Sequence, residues 1–161
     1  MQERGTVAAL SRPGRLAATA VVAAVVVAVD QVTKAVAVAD LDHPVHVVGP
    51  FGFALGYNTG SAFSLFTADA PVLTAVAVVL VAVLGWLAWR APNTPVAVAL
   101  GLVLGGAVGN LCDRAARGRV VDFITITHWP TFNVADACIT VGIVLLVVFY
   151  WRAATPARRS S

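Results

Sequence analysis

Two aspartates, Asp122 and Asp136, stand 14 positions apart in a chain that is otherwise strongly apolar. Two carboxylates that are brought close together cannot both ionise easily, so one of them retains a proton. Such a pair can hold a water molecule, deprotonate it with one carboxylate and protonate a substrate with the other. The two aspartates therefore suit acid–base hydrolysis if the fold brings them together. No serine–histidine or cysteine–histidine alternative is as well placed in the sequence.

Each aspartate also has a structural explanation. Asn133 and Asp136 have the spacing of a helix N-cap and its third residue, which predicts a capping box. Asp122, taken alone, is compatible with an exposed strand residue. Considered singly, each aspartate is better explained by structure than by chemistry, and it is their expected proximity at one membrane face that favours chemistry.

Further polar residues accompany the two aspartates. Asp30 and Lys34 are four positions apart and share a helix face, either as an ion pair near the membrane interface or in a functional role, because ionisable groups within spans are costly. Asn58, in YNTGSAFS, is most simply explained by a turn. Asn110 and Arg114 stand one helical turn apart, where the amide can bond across helices and the guanidinium can clamp a carboxylate or phosphate.

The composition indicates a membrane protein. The chain has 161 residues, of which 59% are hydrophobic and 12% charged, and its mean hydropathy is +0.85. A soluble domain has about a quarter of its residues charged. The net charge is +3, and no basic stripe is interleaved with aromatic residues, which argues against a nucleic-acid partner.

Four apolar stretches predict membrane-spanning helices, each of which needs roughly 20 apolar residues. They cover about 16–38, 71–89, 96–111 and 135–151. The last two are short and are expected to include part of their polar flanks. The first resembles a signal peptide, but Asp30 and Lys34 interrupt it, which favours an uncleaved helix.

Basic residues predict the orientation, because they concentrate on the cytoplasmic side. Seven fall on one side of the four spans: Arg4, Arg12, Arg15, Arg90, Arg152, Arg158 and Arg159. Both termini are therefore expected to be cytoplasmic, with Asp122 and Asp136 at the outer face. Arg114, Arg117 and Arg119 run against this rule, which suggests a local role for at least one of them.

The segments between the spans predict a small sheet on the outer membrane surface. Residues 43–55 and 120–129 partly alternate between apolar and polar positions and carry aromatic side chains, as short strands do. No internal repeat or linker divides the chain. We therefore expect a single integral membrane domain over residues 1–161, an all-α membrane protein of four transmembrane helices with a small extracytoplasmic sheet.

Five motifs follow one another along the chain: DQVTK at 30–34, YNTGSAFS at 57–64, GGAVGNLCDR at 105–114, VVDF at 120–123 and FNVAD at 132–136. Together, and in this order, they resemble the motifs of lipoprotein signal peptidase, also called signal peptidase II. The resemblance implies an aspartic endopeptidase of the bacterial cytoplasmic membrane that uses no metal or organic cofactor and is blocked by globomycin. Its substrate would be a prolipoprotein, cut just before a cysteine that carries a diacylglyceryl group.

By motif position, the resemblance implies that Asp122 and Asp136 are the catalytic pair. The supporting or substrate-binding residues would be Asp30, Lys34, Asn58, Asn110, Arg114 and Asn133. Asn133 would orient Asp136, while Asn110 and Arg114 would brace the loop or meet the substrate backbone. The implied fold has four membrane helices, an extracytoplasmic β-cradle and a short helix over the site.

An alternative of another class is a small transporter or membrane scaffold that uses intramembrane charges. Transporters usually carry internal repeats and helices broken near the membrane midplane. The sequence has neither feature, and its polar groups gather at one face. The partners that the resemblance implies are instead membrane lipid and the signal peptides of prolipoproteins that carry a diacylglyceryl-cysteine.

Overall fold

The computed structural model describes residues 10–59 and 70–154, which form four helices and one sheet. The helices are α1 Arg12–Asp40, α2 Ala70–Trp89, α3 Thr94–Arg117 and α4 Val134–Ala154. All four are long and apolar enough to cross a membrane. The predicted fold class, four membrane helices with a small sheet, is confirmed.

Some residues used in the sequence argument lie outside the described residues. They are Arg4, Arg158, Arg159 and the GSAFS part of the YNTGSAFS motif. The short helix that the resemblance implies over the site is not among the elements of residues 10–59 and 70–154.

Helix α3 continues beyond its predicted end near position 111 and stops at Arg117. Asp113 and Arg117 form an ion pair one turn apart, 2.6 Å between oxygen and nitrogen, which supports the additional turns. Gly118 ends the helix in the left-handed conformation, with φ of 68°, which glycine adopts without strain. Asn110 and Arg114, which were predicted to stand one helical turn apart, consequently both lie on α3.

The predicted small sheet is confirmed, as four antiparallel strands in the order β1-β2-β3-β4. The strands are β1 Val45–Val48, β2 Phe51–Asn58, β3 Val120–Ile126 and β4 Trp129–Phe132. The register of β2 with β3 pairs Gly56 with Asp122 and Asn58 with Val120. The sheet therefore brings the end of β2 beside the strand that carries Asp122.

The glycines of α3 allow the helices on both sides to approach closely. Three of them recur every four residues: Gly101, Gly105 and Gly109. A Cβ atom on Gly105 would lie only 2.7 Å from the Cβ atom of Val26 on α1, and one on Gly106 only 2.5 Å from the backbone oxygen of Ala135 on α4. Helix α3 is the most buried of the four. Polar side chains of α1, α3 and α4 can thus meet at the helix ends.

The outward faces of the other helices are apolar. Val21 of α1, Val79 of α2 and Val147 of α4 are 62%, 61% and 58% exposed. Extensive apolar exposure marks a surface that another apolar phase covers. Together with the four spans, this surface indicates a multi-pass membrane protein.

Candidate active site

Asp122 and Asp136 come together through Asn133, a residue that contacts both. Asp122 lies on β3, and Asp136 is the third residue of α4. The side-chain amide of Asn133 donates to Oδ1 of Asp122 at 2.7 Å. Its backbone N–H donates to Oδ2 of Asp136 at 3.3 Å. The sequence prediction that the loop brings the two aspartates to the same place is therefore confirmed.

The predicted capping box at the start of α4 is also confirmed. Oδ1 of Asn133 accepts a hydrogen bond from the backbone N–H of Asp136 at 2.9 Å, and Oδ2 of Asp136 accepts one from the backbone N–H of Asn133. The other carboxylate oxygen of Asp136 accepts from the amide of Asn110 at 2.8 Å. The capping role and the proximity to Asp122 are thus compatible, because the carboxylate is held at the helix end that faces β3.

Burial raises the pKa of Asp122 to about 6, and the negative charge of Asp136 adds to the rise. Hydrogen bonds from Asn58 and Asn133 and the positive charge of Lys34 act in the opposite direction. Only 3% of Asp122 is exposed. Near neutral pH this carboxyl group holds a proton far more often than a solvated aspartate does, so the pair contains one carboxyl group that is readily protonated.

The raised pKa predicts that Asp122 destabilises the fold as the pH rises. The folded chain binds more protons than the unfolded chain between the two pKa values, 3.8 and about 6, so the free energy of unfolding falls as the pH rises through that window. Asparagine is neutral throughout. We therefore expect Asp122→Asn to gain up to about 3 kcal/mol relative to wild type between pH 4 and 7.

Reversible unfolding of both proteins in detergent micelles, across that pH range, measures the difference. Asp42→Asn is the matched control, because Asp42 is an exposed carboxylate of the same sheet-side end of the bundle. An Asp122→Asn difference that is constant with pH would contradict the assignment of the proton to Asp122.

A buried ionic cluster lies beneath the two aspartates. Lys34 Nζ lies 2.8 Å from a carboxylate oxygen of Asp30 and 2.9 Å from one of Asp113, and all three side chains are fully buried. Lys34 also donates to Oδ1 of Asn110 at 2.9 Å. The predicted contact of Asp30 with Lys34 is confirmed. Through Asn110, which itself bonds Asp136, this cluster adjoins the aspartate pair.

Two residues that the sequence argument did not single out belong to this cluster. Asp113 Oδ2 accepts from the backbone N–H of Val121 at 3.1 Å, which fixes the start of β3 beside Asp122. Gln31 donates from its side chain to Asp30, Asp113 and the backbone oxygen of Gly109, at 3.2 to 3.3 Å. Asp113 could have been identified from the sequence, because it stands four positions before Arg117, a spacing that lets the two side chains form an ion pair on a helix.

The structure places the two remaining predicted site residues, Asn58 and Arg114, at different distances from the aspartate pair: Asn58 contacts Asp122, whereas Arg114 contacts its own helix. Asn58 is the last residue of β2 and hydrogen-bonds Asp122, so the interpretation as a turn residue is wrong. Arg114 donates to the backbone oxygen of Asn110 at 3.4 Å and, among residues 10–59 and 70–154, forms no ion pair with a carboxylate. The contact of Arg114 with Asn110 braces the last turns of α3.

An apolar groove opens beside Asp136. It has a volume of about 340 Å³ and is lined by Ile126, Trp129, Phe132, Asp136, Ala137, Thr140 and Val141. Its walls come from β3, β4 and the first turns of α4. Within the described part of the chain, no group of three or more histidine, cysteine, aspartate or glutamate residues is arranged to hold a metal ion.

Comparisons with known proteins agree on one family. A family model described as signal peptidase (SPase) II matches residues 22–152, which include all eight predicted site residues. The lipoprotein signal peptidase of Mycobacterium avium is 43% identical over 145 residues, covering 84% of this chain and 80% of the relative. The lipoprotein signal peptidase of Streptomyces coelicolor is 39% identical over 133 residues, covering 77% and 65%.

Two solved structures share the fold. One is described as a bacterial membrane enzyme structure at 2.3 Å resolution; it is 24% identical, has a TM-score of 0.78, and covers 89% of this chain and 93% of its own. A second, at 1.9 Å resolution, has a TM-score of 0.75 at 24% identity, covering 88% and 94%. At this identity the likeness speaks for the fold alone.

Proposed function

The chain belongs to the signal peptidase II family, and from this premise we propose that it is an aspartic peptidase whose catalytic pair is Asp122 and Asp136. As a member of that family it removes signal peptides from prolipoproteins. The comparisons give no support to a transporter or scaffold. The observation that carries the aspartic mechanism is the bridge that Asn133 makes between the two carboxyl groups.

In the proposed mechanism the shared proton resides on Asp122, in keeping with its raised pKa. Asp136, oriented by Asn110 and by the backbone of Asn133, takes a proton from a water molecule held between the carboxyl groups. The resulting hydroxide attacks the scissile carbonyl carbon while Asp122 protonates the carbonyl oxygen. When the tetrahedral intermediate collapses, Asp136 gives its proton to the leaving nitrogen, and Asp122 regains its own from the intermediate.

The remaining polar residues are proposed to position this pair. Asn58 and Asn133 hold Asp122, and Asn110 holds Asp136. Asp30 accepts from the backbone N–H of Ala135 at 2.9 Å, next to Asp136, and so ties the start of α4 to α1. Lys34 and Arg114 act further from the reacting atoms, through Asn110.

The substrate is proposed to be a prolipoprotein whose cysteine already carries a diacylglyceryl group, cut just before that cysteine. The apolar groove beside Asp136 supports this, because it can hold an acyl chain while the scissile bond reaches the carboxyl groups. We expect purified protein to cut the unlipidated precursor poorly. Equal rates for the lipidated and unlipidated forms would contradict a lipid-reading groove.

A matched pair of variants tests the groove itself. Val141→Trp fills the groove, whereas Val144→Trp places the same side chain on an exposed position of α4 outside it. We expect Val141→Trp to raise KM for the lipidated precursor by about tenfold, the scale of a lost apolar contact, and Val144→Trp to leave it unchanged. The same rise in both variants would point to a general effect on α4.

The protein is proposed to lie in the bacterial cytoplasmic membrane with both termini inside and the aspartates at the outer face. Arg12, Arg15, Arg90 and Arg152 support this, since they lie at the helix ends opposite the sheet. A reporter fused after Ser161 should behave as cytoplasmic, and one inserted near Asp42 as external. The reverse pattern would overturn the orientation.

A further inference from the structure

A second polar feature lies at the end of the bundle away from the aspartates. There, where α1 begins and α2 gives way to α3, a cleft of about 500 Å³ is open. It is lined by Arg12, Arg15, Trp89, Arg90, Ala91 and Pro92. The proposed peptidase mechanism makes no use of this cleft, and its first two arginines precede the residues that the family model matches.

The three arginines are held in place by neutral groups. Arg15 donates from Nε to the backbone oxygen of Ala91 at 3.0 Å and from Nη1 to that of Leu10 at 2.7 Å. The guanidinium carbon of Arg12 lies 4.4 Å from the centre of the Trp89 ring. These contacts fix the guanidinium groups without neutralising them.

The third guanidinium, that of Arg90, lies 4.5 Å from the ring centre of Trp86. Throughout residues 10–59 and 70–154, none of the three arginines is paired with a carboxylate. The described carboxylates lie instead in the second half of α1, at the sheet or beside it. Among the described residues, three fixed positive charges without a carboxylate partner thus line one cleft and attract an anion, and guanidinium forks match phosphate oxygens well.

The position of the cleft selects the source of the phosphate. It lies at the ends of membrane-spanning helices, the depth at which lipid headgroups lie. Trp86 and Trp89 are 53% and 52% exposed there, as tryptophans of a membrane interface are. Farther along α2, Val79 and Val83 present an exposed apolar surface that acyl chains can cover. We propose that the cleft binds the phosphate headgroup of an anionic phospholipid, whose acyl chains lie along α2.

Tryptophan fluorescence tests this assignment. The full chain carrying Trp129→Phe and Trp151→Phe, which leaves Trp86 and Trp89 as the reporters, is placed in phosphatidylcholine nanodiscs. Dibrominated phosphatidylglycerol or dibrominated phosphatidylcholine is then added at equal mole fractions. We expect stronger quenching by the anionic lipid. Equal quenching by the two lipids would overturn the proposal.

Two arginine variants distinguish specific binding of the lipid in the cleft from general attraction of anionic lipid to a positively charged surface. Arg90→Gln removes a cleft residue, whereas Arg152→Gln removes the same charge at the same end of the bundle from a residue that does not line the cleft. Arg90→Gln is expected to lower the preference for the anionic lipid about fivefold, the contribution of one basic residue near a lipid surface. Arg152→Gln is expected to lower that preference much less, because its charge adds only to the general field of this surface and not to the cleft where the tryptophan reporters lie. Equal losses in both variants would overturn the site in favour of general surface charge.

A third arm distinguishes lipid from soluble phosphate. Inorganic phosphate and glycerol phosphate are added to the discs at an ionic strength matched with chloride. Displacement of the brominated phosphatidylglycerol by either, beyond the effect of chloride, would overturn the lipid assignment, and no displacement supports it. Prolipoprotein cleavage by Arg90→Gln, measured alongside, shows that the variant is folded, because Arg90 lies at the end of the bundle opposite Asp122 and Asp136.

Discussion

Replacement of either Asp122 or Asp136 with asparagine is expected to lower turnover by several powers of ten, on the order of 10⁴-fold, and the double replacement to add little. Asparagine preserves the size and much of the hydrogen bonding of aspartate but can neither take nor give the proton. In the proposed mechanism the two carboxyl groups act as one unit, so the second replacement removes little of the turnover that remains after the first. Activity in this mechanism requires one protonated and one ionised member of the pair.

The capping box makes Asp136→Asn the sharper of the two tests. Loss of a cap costs about 1 kcal/mol of stability and leaves turnover in the folded fraction near normal. Loss of a catalytic carboxylate removes turnover whatever the stability. Turnover per folded molecule in detergent, measured for both single variants and the double, therefore separates the two roles that the contacts of Asp136 allow.

Asp42→Asn is the control for this series, since it removes an exposed carboxylate from the same end of the bundle. It should cleave at the wild-type rate. If Asp136→Asn retains even about a tenth of wild-type turnover, the loss is far below the scale of a catalytic group. Asp136 would then be a helix cap alone, and the aspartic mechanism would fail.

The features that follow from local pattern were predictable from the sequence. Four long apolar runs predict membrane helices because each must satisfy its backbone within itself, and the alternating segments predict the small sheet. The capping box follows from Asn133 and Asp136 alone, and the pairing of Asp30 with Lys34 from helical spacing. In each case the signal lies within one contiguous segment of the chain.

Contacts between distant segments were not predictable in this way. Lys34 meets Asp113 and Asn110 across 79 and 76 positions of the chain, and only the packing of α1 on α3 brings them together. Asp113 was not singled out because the predicted span ended near position 111, before this residue, whereas α3 continues to Arg117. The role of Arg114 toward an anion, the loop or the substrate backbone stays a prediction, and its one described hydrogen bond is to its own helix.

Lys34→Met is expected to cost about 3–5 kcal/mol of stability, the scale on which one partner of a buried ion pair is removed. Methionine retains much of the volume of the lysine side chain, so the change acts through charge. Asp30 and Asp113 would remain buried without the ammonium group that lies 2.8 and 2.9 Å from them. Free energies of unfolding in detergent micelles measure the loss.

Arg117→Met is the matched control, because it removes the other cation bound to Asp113. The Arg117 side chain is 39% exposed, so water replaces the lost partner, and a cost of about 1 kcal/mol or less is expected. Similar costs for the two variants would show that burial of the lysine is not what makes its charge important.

A rescue experiment decides whether Lys34→Met loses stability because Asp30 and Asp113 are left buried without a cation or because the side chains pack less well. Combined with Asp30→Asn and Asp113→Asn, the methionine variant no longer buries an unpaired charge, and most of the lost stability should return. Replacing a whole buried ionic group with neutral residues is often close to neutral, in contrast to removing one partner. If the triple variant is no more stable than Lys34→Met, then packing and not charge holds α1 against α3 at this point. Recovered stability without recovered turnover would instead assign the charged cluster of Asp30, Lys34 and Asp113 as a whole to the positioning of the aspartate pair, through its contacts with Asn110, Val121 and Ala135.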